Sequence, residues 1–379
     1  MKQEPIYPRW VLDCKELHER ARISTILGRF DDALDLHAQS MAVLRKHGGI
    51  ERHVDEFRAI ATGLAWSLMR AGRFLEAWPY WEAGRAYASW EPWPGTRYFD
   101  GSGEWPDSLL VQCEGGYGDL MMFMRWLPLL KRNSMCKRLG LMIWKPFEDF
   151  CDWSALGVDT VYVVDRDSIP FGEWQASTSI MSLPAVFTLQ QWQDIPKREI
   201  PEIWPVINSL CSSNDRIGFC WRAEENSSKL RTKSLPVDVA SEIAASLHCS
   251  GLCDSILSLS PDKTDLYPGV ESGYDIPDRI KHCVYEPERM TSWKETARYI
   301  CSMDFVLTVD TAVAHLCGLL GVPTLVLLPI SACWRWGLPS DGPTSHWYST
   351  QLTIYRQQEP LRWNISEIVD AVKERLNAQ

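Results

Sequence analysis

Residues 304–329, DFVLTVDTAVAHLCGLLGVPTLVLLP, constrain the fold of this chain more than any other stretch. Residues 305–309 and 324–328 are short apolar runs with β-branched side chains, which is typical of buried parallel strands. Between them, Asp310 or Thr311 can cap a short helix that a Gly-Val-Pro sequence ends. Two parallel strands joined by a helix predict an α/β fold.

The start of that helix has the composition of an anion-binding site. Ala312 and Ala314 are small, and His315 lies one turn into the helix. A helix start offers backbone N–H groups and the positive end of the helix dipole, and small side chains let a diphosphate approach the backbone. We interpret this segment as a diphosphate site. The alternative is an ordinary strand–helix–strand connection, which the pattern alone supports equally well.

A glycine turn marks the start of another α/β unit. Residues 108–113 read as a buried strand, the turn EGGYGD follows, and a helix is predicted after it. Gly116 and Gly118 match the first two glycines of a dinucleotide fingerprint, but Met121 stands at the third. The missing glycine disfavours a nicotinamide-dependent oxidoreductase. The tight turn instead places Asp119 at the start of the helix.

A basic loop follows a further predicted strand, residues 216–221. The loop, residues 222–234, contains Lys229, Arg231 and Lys233 just before a Leu-Pro helix start. Cations that follow the end of a strand are well placed to meet phosphate oxygens. The alternative is a solvated basic loop with no ligand.

The first 90 residues carry a repeated helical pattern. Gly-Arg-Phe, with Ala three residues after the Phe, occurs at Gly28 and again at Gly72. Each copy resembles the turn and second helix of a tetratricopeptide repeat. Two such hairpins are too few for a superhelix, so we expect a small helical cap. It would serve as a scaffold or as a platform for an acceptor or partner.

Composition divides the chain into three parts. Residues 91–106 concentrate Pro, Gly and aromatic residues, as a linker does. We predict a tetratricopeptide-like helical region over 1–92 and two Rossmann-like domains over 93–208 and 209–379. The last helix of the second Rossmann-like domain is expected to pack back on the first.

In this order, the motifs resemble the heptosyltransferase-like glycosyltransferases of the family nine type, and more closely their relatives that carry tetratricopeptide repeats in front. The resemblance covers the chain from residue 93 to the end, together with the two hairpins. It implies a GT-B fold, in which two Rossmann-like domains face a cleft, with 93–208 as the acceptor domain and 209–379 as the nucleotide-sugar donor domain. It also implies transfer of a sugar from a nucleotide-diphosphate donor to an acceptor hydroxyl, with inversion and without a metal ion.

The resemblance further implies roles for individual residues. Asp119 matches the base that accepts the proton of the attacking hydroxyl. Lys233 matches a phosphate-binding cation, since it stands in a cation-x-apolar-Pro motif. The residues that match the diphosphate-binding segment are Asp310, Thr311, Ala312 and His315. Those that match further donor or acceptor contacts are Gly116, Gly118, Arg231 and Arg335.

One segment departs from the family pattern. The family often shows Ser-Leu-Gln at a strand end where this chain has Ser258-Leu259-Ser260. The contacts to the nucleotide base and ribose are therefore left open. A competing hypothesis is a non-catalytic glycosyltransferase-like scaffold that recruits a partner through its helical cap.

The overall composition limits which binding partners and which cellular compartment we expect for this protein. The formal net charge of −10 disfavours nucleic acid and anionic membranes. The sequence has no run of about 18 apolar residues, and its twelve cysteines include no Cys-x-x-Cys pair. We expect a cytoplasmic protein with reduced thiols, no metal and no cofactor beyond the nucleotide-sugar co-substrate. Asp165-Arg166-Asp167 has metal-ligand types, but matches of three residues arise by chance.

Overall fold

The computed structural model describes residues 8–47, 54–85, 91–132, 136–164, 174–196, 216–223, 233–260, 276–287, 290, 292–360 and 362–377. The chain forms two compact units. The first combines Met1–Glu91 with Thr188–Ile195 and Ile330–Asp341, and the second contains the rest of the chain. Within the described ranges, no helix has both the length and the apolar composition needed to cross a bilayer.

The first unit, called the helical unit below, is built from two helical hairpins. Its helices are α1 (Arg9–Ile26), α2 (Phe30–Lys46), α3 (Val54–Arg70) and α4 (Phe74–Arg85). Gly28 and Gly72 form the two turns with φ of 74° and 72°, a left-handed conformation that favours glycine. Ala33 and Ala77, the small positions of the repeated pattern, are fully buried. The hairpins lie where the repeats predict them, and the tetratricopeptide assignment itself stays a prediction.

Two segments far along the chain complete the helical unit. The indole N–H of Trp78 donates to the Leu189 carbonyl at 2.9 Å, and Phe74 packs edge-on against Trp192 with ring centroids 4.7 Å apart. Arg70 donates to the carbonyl of Ala332 at 2.5 Å. Residues 188–195 and 330–341, which the sequence assigns to the two Rossmann-like domains, therefore pack with the helices.

The second unit begins with a five-stranded parallel sheet. Its strands are β1 (Arg97–Tyr98), β2 (Ser108–Gln112), β3 (Arg138–Trp144), β4 (Thr160–Val164) and β5 (Ala176–Ser179). Their order in the sheet is β1-β5-β2-β3-β4. The helices of this half are α5 (Tyr117–Phe123), α6 (Leu127–Lys131) and α7 (Leu183–Val186).

One predicted helix in this half is wrong. The sequence pattern predicts a helix over residues 146–156, but the structure has two 3₁₀ turns, Lys145–Phe147 and Trp153–Leu156. Asp152 caps the second turn by accepting the Ser154 N–H at 3.0 Å. Local side-chain hydrogen bonds of this kind compete with a continuous helix.

The second half of the unit is a six-stranded parallel sheet. Its strands are β6 (Arg216–Cys220), β7 (Ser255–Ser258), β8 (Val284–Tyr285), β9 (Phe305–Val309), β10 (Thr324–Leu328) and β11 (Leu352–Arg356). Their order is β11-β10-β9-β6-β7-β8. The helices are α8 (Val237–Cys249), α9 (Trp293–Cys301), α10 (Ala312–Leu320) and α11 (Ile365–Asn377). Each sheet with its helices is Rossmann-like.

The last helix, α11, packs on the sheet that precedes it in the chain. Ile368 and Val372, spaced four residues apart on one helix face, are fully buried. They join the apolar cluster that covers the six-stranded sheet and includes Phe219, Leu307 and Leu327. This differs from the expectation that α11 packs back on the first Rossmann-like domain. The apolar face of α11 is instead buried against the six-stranded sheet of the second.

Each sheet has one point at which successive strands turn in opposite directions. In the first sheet this switch point lies between β2 and β5, and in the second between β6 and β9. Open parallel sheets bind ligands beyond the carboxyl ends of the strands at such points. The fold therefore singles out the residues that follow β2, β5, β6 and β9.

The helical unit buries a pair of histidines between α1, α2 and α3. His37 is 3% exposed, its Nδ1 lies 3.0 Å from Ser67 Oγ, and its ring centroid lies 5.2 Å from that of His18. Burial lowers the pKa of His37 to about 3, with repulsion from His18 and Arg70 adding to the effect. Burial also lowers the pKa of His18 to about 4.

These pKa shifts predict that acid destabilises the helical unit. Below the ordinary histidine pKa of 6.5 the unfolded chain binds protons that the folded chain does not, so stability falls as the pH drops from about 6.5 towards 4. For His37 alone the loss at about pH 5 is about 2 kcal/mol. Urea unfolding of the parent and of His37→Gln at about pH 7 and about pH 5 measures it.

We expect His37→Gln to lose about 2 kcal/mol less on acidification than the parent does. His282→Gln, at an exposed histidine outside this unit, is the control and should behave like the parent. Equal acid sensitivity of the parent and His37→Gln would contradict the assignment.

Candidate functional site

The predicted donor side of the site is the start of α10, directly after β9. Thr311 is the N-cap residue, and its Oγ1 accepts the Val313 N–H at 3.0 Å. Gly321 ends the helix in a left-handed conformation with φ of 71°. The capped helix predicted from the sequence is present, and its N-terminus lies at the switch point of the six-stranded sheet.

Two of the predicted phosphate-binding residues form an ion pair there. Lys233 Nζ lies 3.0 Å from Asp310 Oδ2. The Asp310 side chain is 4% exposed and the Lys233 side chain 40% exposed. Lys233 is therefore not an isolated loop charge in solvent, since its partly exposed side chain forms an ion pair with a buried carboxylate.

The chain around Lys233 is tied back to the end of β6. Ser234 Oγ accepts the Ala223 N–H at 3.0 Å and donates to the Ala223 carbonyl at 3.2 Å. The Leu235 N–H donates to the Trp221 carbonyl at 2.9 Å. These bonds place Lys233 at the switch point between β6 and β9. Lys229, the predicted contact Arg231 and the Asp165-Arg166-Asp167 motif lie outside the described residues.

Small polar groups at the ends of β6 and β7 lie close to the start of α10. Cys220 Sγ lies 3.9 Å from Thr311 Oγ1, and the Trp221 N–H donates to Ser260 Oγ at 3.3 Å. Burial raises the pKa of the Cys220 thiol, although hydrogen bonding to Thr311 opposes the shift. The thiol is thus protonated and serves packing. Ser260, from the segment that departs from the family pattern, lies at this edge.

The predicted acceptor side is the start of α5, directly after β2. Asp119 is the third residue of the helix, and its Oδ2 accepts the Gly116 N–H at 2.7 Å. Gly115 has φ of 78°, and a Cβ there would lie 2.5 Å from Asp119 Oδ2. The glycine turn therefore holds the Asp119 carboxylate, as the sequence predicts. The carboxylate already caps the helix, so a base would act through its remaining lone pairs.

A second carboxylate at this edge escaped the sequence analysis. Ser179 Oγ donates to Glu114 Oε2 at 2.5 Å, a bond that joins the ends of β5 and β2 across the switch point of the first sheet. The same Ser179 Oγ accepts the Met181 N–H at 3.0 Å. β5 reads ASTS, which has no apolar pattern, and the sequence therefore gives no strand signal there.

Close packing of α5 on α10 brings the two sides together. A Cβ on Gly118 would lie 2.4 Å from His315 Cδ2 and 3.3 Å from Ala312 Cα. Only a glycine allows this approach. Asp119, next in sequence, therefore lies on the helix that touches the proposed diphosphate helix. Of the predicted site residues, Gly116, Gly118, Asp119, Lys233, Asp310, Thr311, Ala312 and His315 belong to these two connected edges.

His315 is buried and has a specific partner that sequence reasoning missed. Its Nδ1 lies 2.8 Å from the Tyr348 hydroxyl. The Tyr348 ring lies against Gly318, where a Cβ would come within 2.4 Å of the ring. Gly318 and His315 are three residues apart on α10, so they share one face of the helix.

Arg335 lies in the helical unit, in the 3₁₀ turn Trp334–Trp336. The side chain is buried, and its Nη1 donates to Cys333 Sγ at 2.8 Å. Its guanidinium carbon lies 5.2 Å from the Trp334 ring centroid, in cation–π geometry. These contacts describe a packing role within the helical unit, and a contact between Arg335 and donor or acceptor stays a prediction.

Among the described side chains, no group of three or more His, Cys, Asp or Glu is arranged to hold a metal ion. A charge-compensating role at this site is available to Lys233 and to the start of α10.

No protein-family model matches this chain, and no curated protein matches it in sequence. Solved structures resemble it in fold. One is the ADP-heptose lipopolysaccharide heptosyltransferase II of Escherichia coli, with 14% identity, 72% of this chain and 99% of that chain covered, and a TM-score of 0.43. Another is a family 9 glycosyltransferase from Veillonella parvula, with 11% identity, coverage of 74% and 100%, and a TM-score of 0.46.

A third similar structure is the iron-containing dodecameric glycosyltransferase TibC of enterotoxigenic E. coli. The identity is 12%, the coverage is 73% of this chain and 79% of that chain, and the TM-score is 0.47. Likeness at this level carries no conclusion about activity. The functional argument therefore rests on the side chains described above.

The α5–α10 contact predicts a penalty for Gly118→Ala. Alanine in place of a helical glycine is favourable by about 1 kcal/mol, whereas overpacking costs about 1–3 kcal/mol. The added Cβ would lie 2.4 Å from the buried His315 ring and close to the Ala312 backbone. We therefore expect the cost of overpacking to exceed the gain in helix propensity. We expect a net loss of up to about 2 kcal/mol in urea unfolding.

Gly116→Ala is the matched control two residues away. Its Cβ would meet no atom closer than 3.7 Å, and the residue is exposed. The control should stay within about 0.5 kcal/mol of the parent. If both variants are equally stable, α5 and α10 do not touch as described.

Proposed function

We propose that the chain is an inverting, metal-independent glycosyltransferase that moves a sugar from a nucleotide-diphosphate sugar to an acceptor hydroxyl in a GT-B-type cleft. One observation carries the proposal: the α5–α10 contact connects a carboxylate at one switch point to a cation and a helix start at the other. Sugar transfer needs these two kinds of group on opposite sides of the anomeric carbon.

Departure of the nucleotide diphosphate develops negative charge. The N-terminus of α10 supplies backbone N–H groups and a positive dipole end, and Lys233 adds a full positive charge at the same edge. Asp310 holds the Lys233 ammonium beside the helix start, so the ammonium needs no reorganisation when charge develops. This cluster supports the view that the leaving group is stabilised without a metal ion.

Attack by the acceptor needs a base. Asp119 lies half-buried at the start of α5, where its hydrogen bond to the Gly116 N–H orients the carboxylate. A base on the acceptor side with a leaving group held on the α10 side favours direct displacement, and direct displacement inverts the anomeric centre. The capping bond also supports the competing view, a scaffold in which Asp119 only shapes the turn.

The test starts with the donor. Thermal unfolding in the presence of UDP-, ADP-, GDP- and CMP-sugars and of NAD identifies a ligand, because one present at about 100 times its Kd adds roughly 2.7 kcal/mol of stability. We expect at least one nucleotide sugar to stabilise the chain. Turnover of that sugar is then measured with saccharide and protein acceptors.

Asp119→Asn separates the base from the cap. The Asn side-chain oxygen can still accept the Gly116 N–H, but an amide cannot take up a proton at neutral pH. We expect turnover to fall by about 10²–10⁴-fold while the thermal shift with donor stays close to that of the parent. Asp119→Ala, which removes both functions, should also lose stability. Parent-like turnover of Asp119→Asn, or equal loss of donor binding and turnover, would favour the scaffold.

Lys233→Ala tests the phosphate contact. If Lys233 meets the donor diphosphate, the lost charge-assisted hydrogen bond costs about 1.5–3 kcal/mol, or roughly ten- to over a hundredfold in donor affinity. The structure adds a second effect, because the buried Asp310 carboxylate loses its ion pair with Lys233. We therefore also expect a loss of roughly 1–3 kcal/mol in folding stability.

The double variant Lys233→Ala/Asp310→Asn distinguishes the two effects, with Asp310→Asn as the single control. Stability should recover in the double variant because the buried carboxylate that lost its ion pair is replaced by a neutral amide. Donor affinity should stay low, since the cation is still missing. If both folding stability and donor affinity recovered, Lys233 would serve only to neutralise Asp310. Lys229→Ala and Arg231→Ala are controls in the same loop and should cost less than Lys233→Ala.

A further inference from the structure

A carboxylate other than the proposed base, that of Glu114, lies at the switch point of the five-stranded sheet. β2 and β5 are neighbours there, and Gln112 lies opposite Ser179. Glu114 comes two residues after the end of β2, and its Oε2 accepts the Ser179 hydroxyl at 2.5 Å. Open parallel sheets bind ligands beyond the carboxyl ends of the strands at such a point. Glu114 is therefore placed where a ligand of this half of the unit would lie.

The Ser179 hydroxyl holds this carboxylate in place. Its Oγ accepts the Met181 N–H at 3.0 Å, and its single proton is donated to Glu114, because a carboxylate only accepts hydrogen bonds. Ser179 is fully buried in β5, so water does not compete for that proton. Glu114 itself is half-buried, which leaves part of its side chain accessible. A carboxylate has about four lone-pair sites, so the bond from Ser179 uses only part of its accepting capacity.

Two half-buried aromatic side chains lie along the same edge of the sheet. Trp144 is the last residue of β3, the strand that pairs with β2, and Tyr117 is the first residue of α5. Their rings meet edge to face, with centroids 5.5 Å apart. Both side chains are partly exposed. A sugar ring has hydroxyl groups at its rim and apolar C–H faces, so it suits a site that combines flat apolar surface with a fixed hydrogen-bond acceptor.

Glu114 and Asp119 stand at the two ends of the glycine turn and are held in different ways. Asp119 Oδ2 accepts a backbone N–H of its own turn, from Gly116, whereas Glu114 is bonded to a separate strand. A Cβ on Gly115 would lie 2.5 Å from Asp119 Oδ2 and 2.9 Å from Met181 Sδ. The turn therefore packs closely between α5 and the end of β5, and it presents both carboxylates at one edge. Two such groups allow one to accept a proton while the other orients the ligand that carries it.

We propose that Glu114 is an acceptor-binding residue, held by Ser179 as its positioning residue, and that its carboxylate accepts a hydrogen bond from a second hydroxyl of the acceptor. This role rests on the proposed function for its catalytic meaning. In the transfer, the attacking oxygen bonds to the anomeric carbon, its proton goes to Asp119 and the nucleotide diphosphate leaves, so Glu114 is unchanged. The acceptor is then a polyol or saccharide with an apolar ring face, since a serine or threonine side chain has only one hydroxyl.

Acceptor binding can be measured without turnover. Saturation-transfer-difference NMR of the full chain is run with the methyl α-glycosides of glucose, galactose and mannose, and with cyclohexanol, a ring with one hydroxyl, as the ligand control. We expect at least one glycoside to bind, and Glu114→Gln to weaken it about tenfold because a charged acceptor becomes a neutral amide. Glu242→Gln, at an exposed carboxylate on α8, is the control variant and should match the parent. If no glycoside binds to the parent, or if Glu114→Gln binds equally well, the proposal is overturned.

Ser179→Ala tests the positioning role against a purely structural one. Ser177 provides the matched control, because it is a fully buried serine two residues earlier in β5, and its Oγ accepts the Trp93 N–H at 2.9 Å. Both alanine variants should lose stability, since each removes the acceptor of a backbone N–H. We expect only Ser179→Ala to weaken glycoside binding. Equal weakening in the two variants would trace the effect to damage of β5 and would contradict the role of Ser179.

Kinetics separate this role from the proposed function. With an identified donor and a bound glycoside, Glu114→Gln should raise the acceptor KM about tenfold and change kcat by less than about threefold, whereas Asp119→Asn should lower kcat. A fall in kcat at unchanged acceptor KM in Glu114→Gln would make Glu114 the base and overturn its binding role. If glycosides bind through Glu114 but no nucleotide sugar binds, the proposed function fails and the assignment of Glu114 stands. If a nucleotide sugar binds and no glycoside does, the assignment of Glu114 fails and the proposed function stands.

Discussion

The site depends on the close approach of α5 and α10 at Gly118. This contact leaves no space for a side chain, because even one methyl group would overlap the His315 ring. The contact brings two helix starts together: Asp119 is the residue after Gly118 on one helix, and Thr311 and Ala312 begin the other. The glycine at position 118 is therefore needed because it lets the two helices approach closely, and its backbone flexibility is not required.

Both carboxylates near this contact are held by specific partners. The buried Asp310 carboxylate forms an ion pair with Lys233, and the Asp119 carboxylate accepts a hydrogen bond from the Gly116 N–H. Each group that is to act on a ligand is thus already oriented by a hydrogen bond or ion pair. Preorganised groups of this kind stabilise developing charge without moving, which is the main way in which a fixed site lowers a barrier.

Two carboxylates at one edge give the acceptor side more than one chemical option. Glu114 accepts from Ser179 across the first switch point, while Asp119 accepts from the turn that precedes its helix. A group that already caps a helix is held firmly and is half-buried, and both features suit a base. The same features suit a purely structural residue. The Asn substitution distinguishes the two because it preserves the cap and removes the basicity.

Local sequence determined the elements that carry the site. β9, α10 and β10 lie where the pattern of residues 304–329 predicts them, because cap residues, glycine stops and apolar runs act over a few neighbouring positions. Only the tertiary structure decided the contacts between them. The pairing of Lys233 with Asp310 follows from β6 and β9 being neighbours in the sheet, and β5 and Tyr348 have no local signal. Ion pairing and burial depend on which distant groups strand order brings together, and a local pattern does not contain that order.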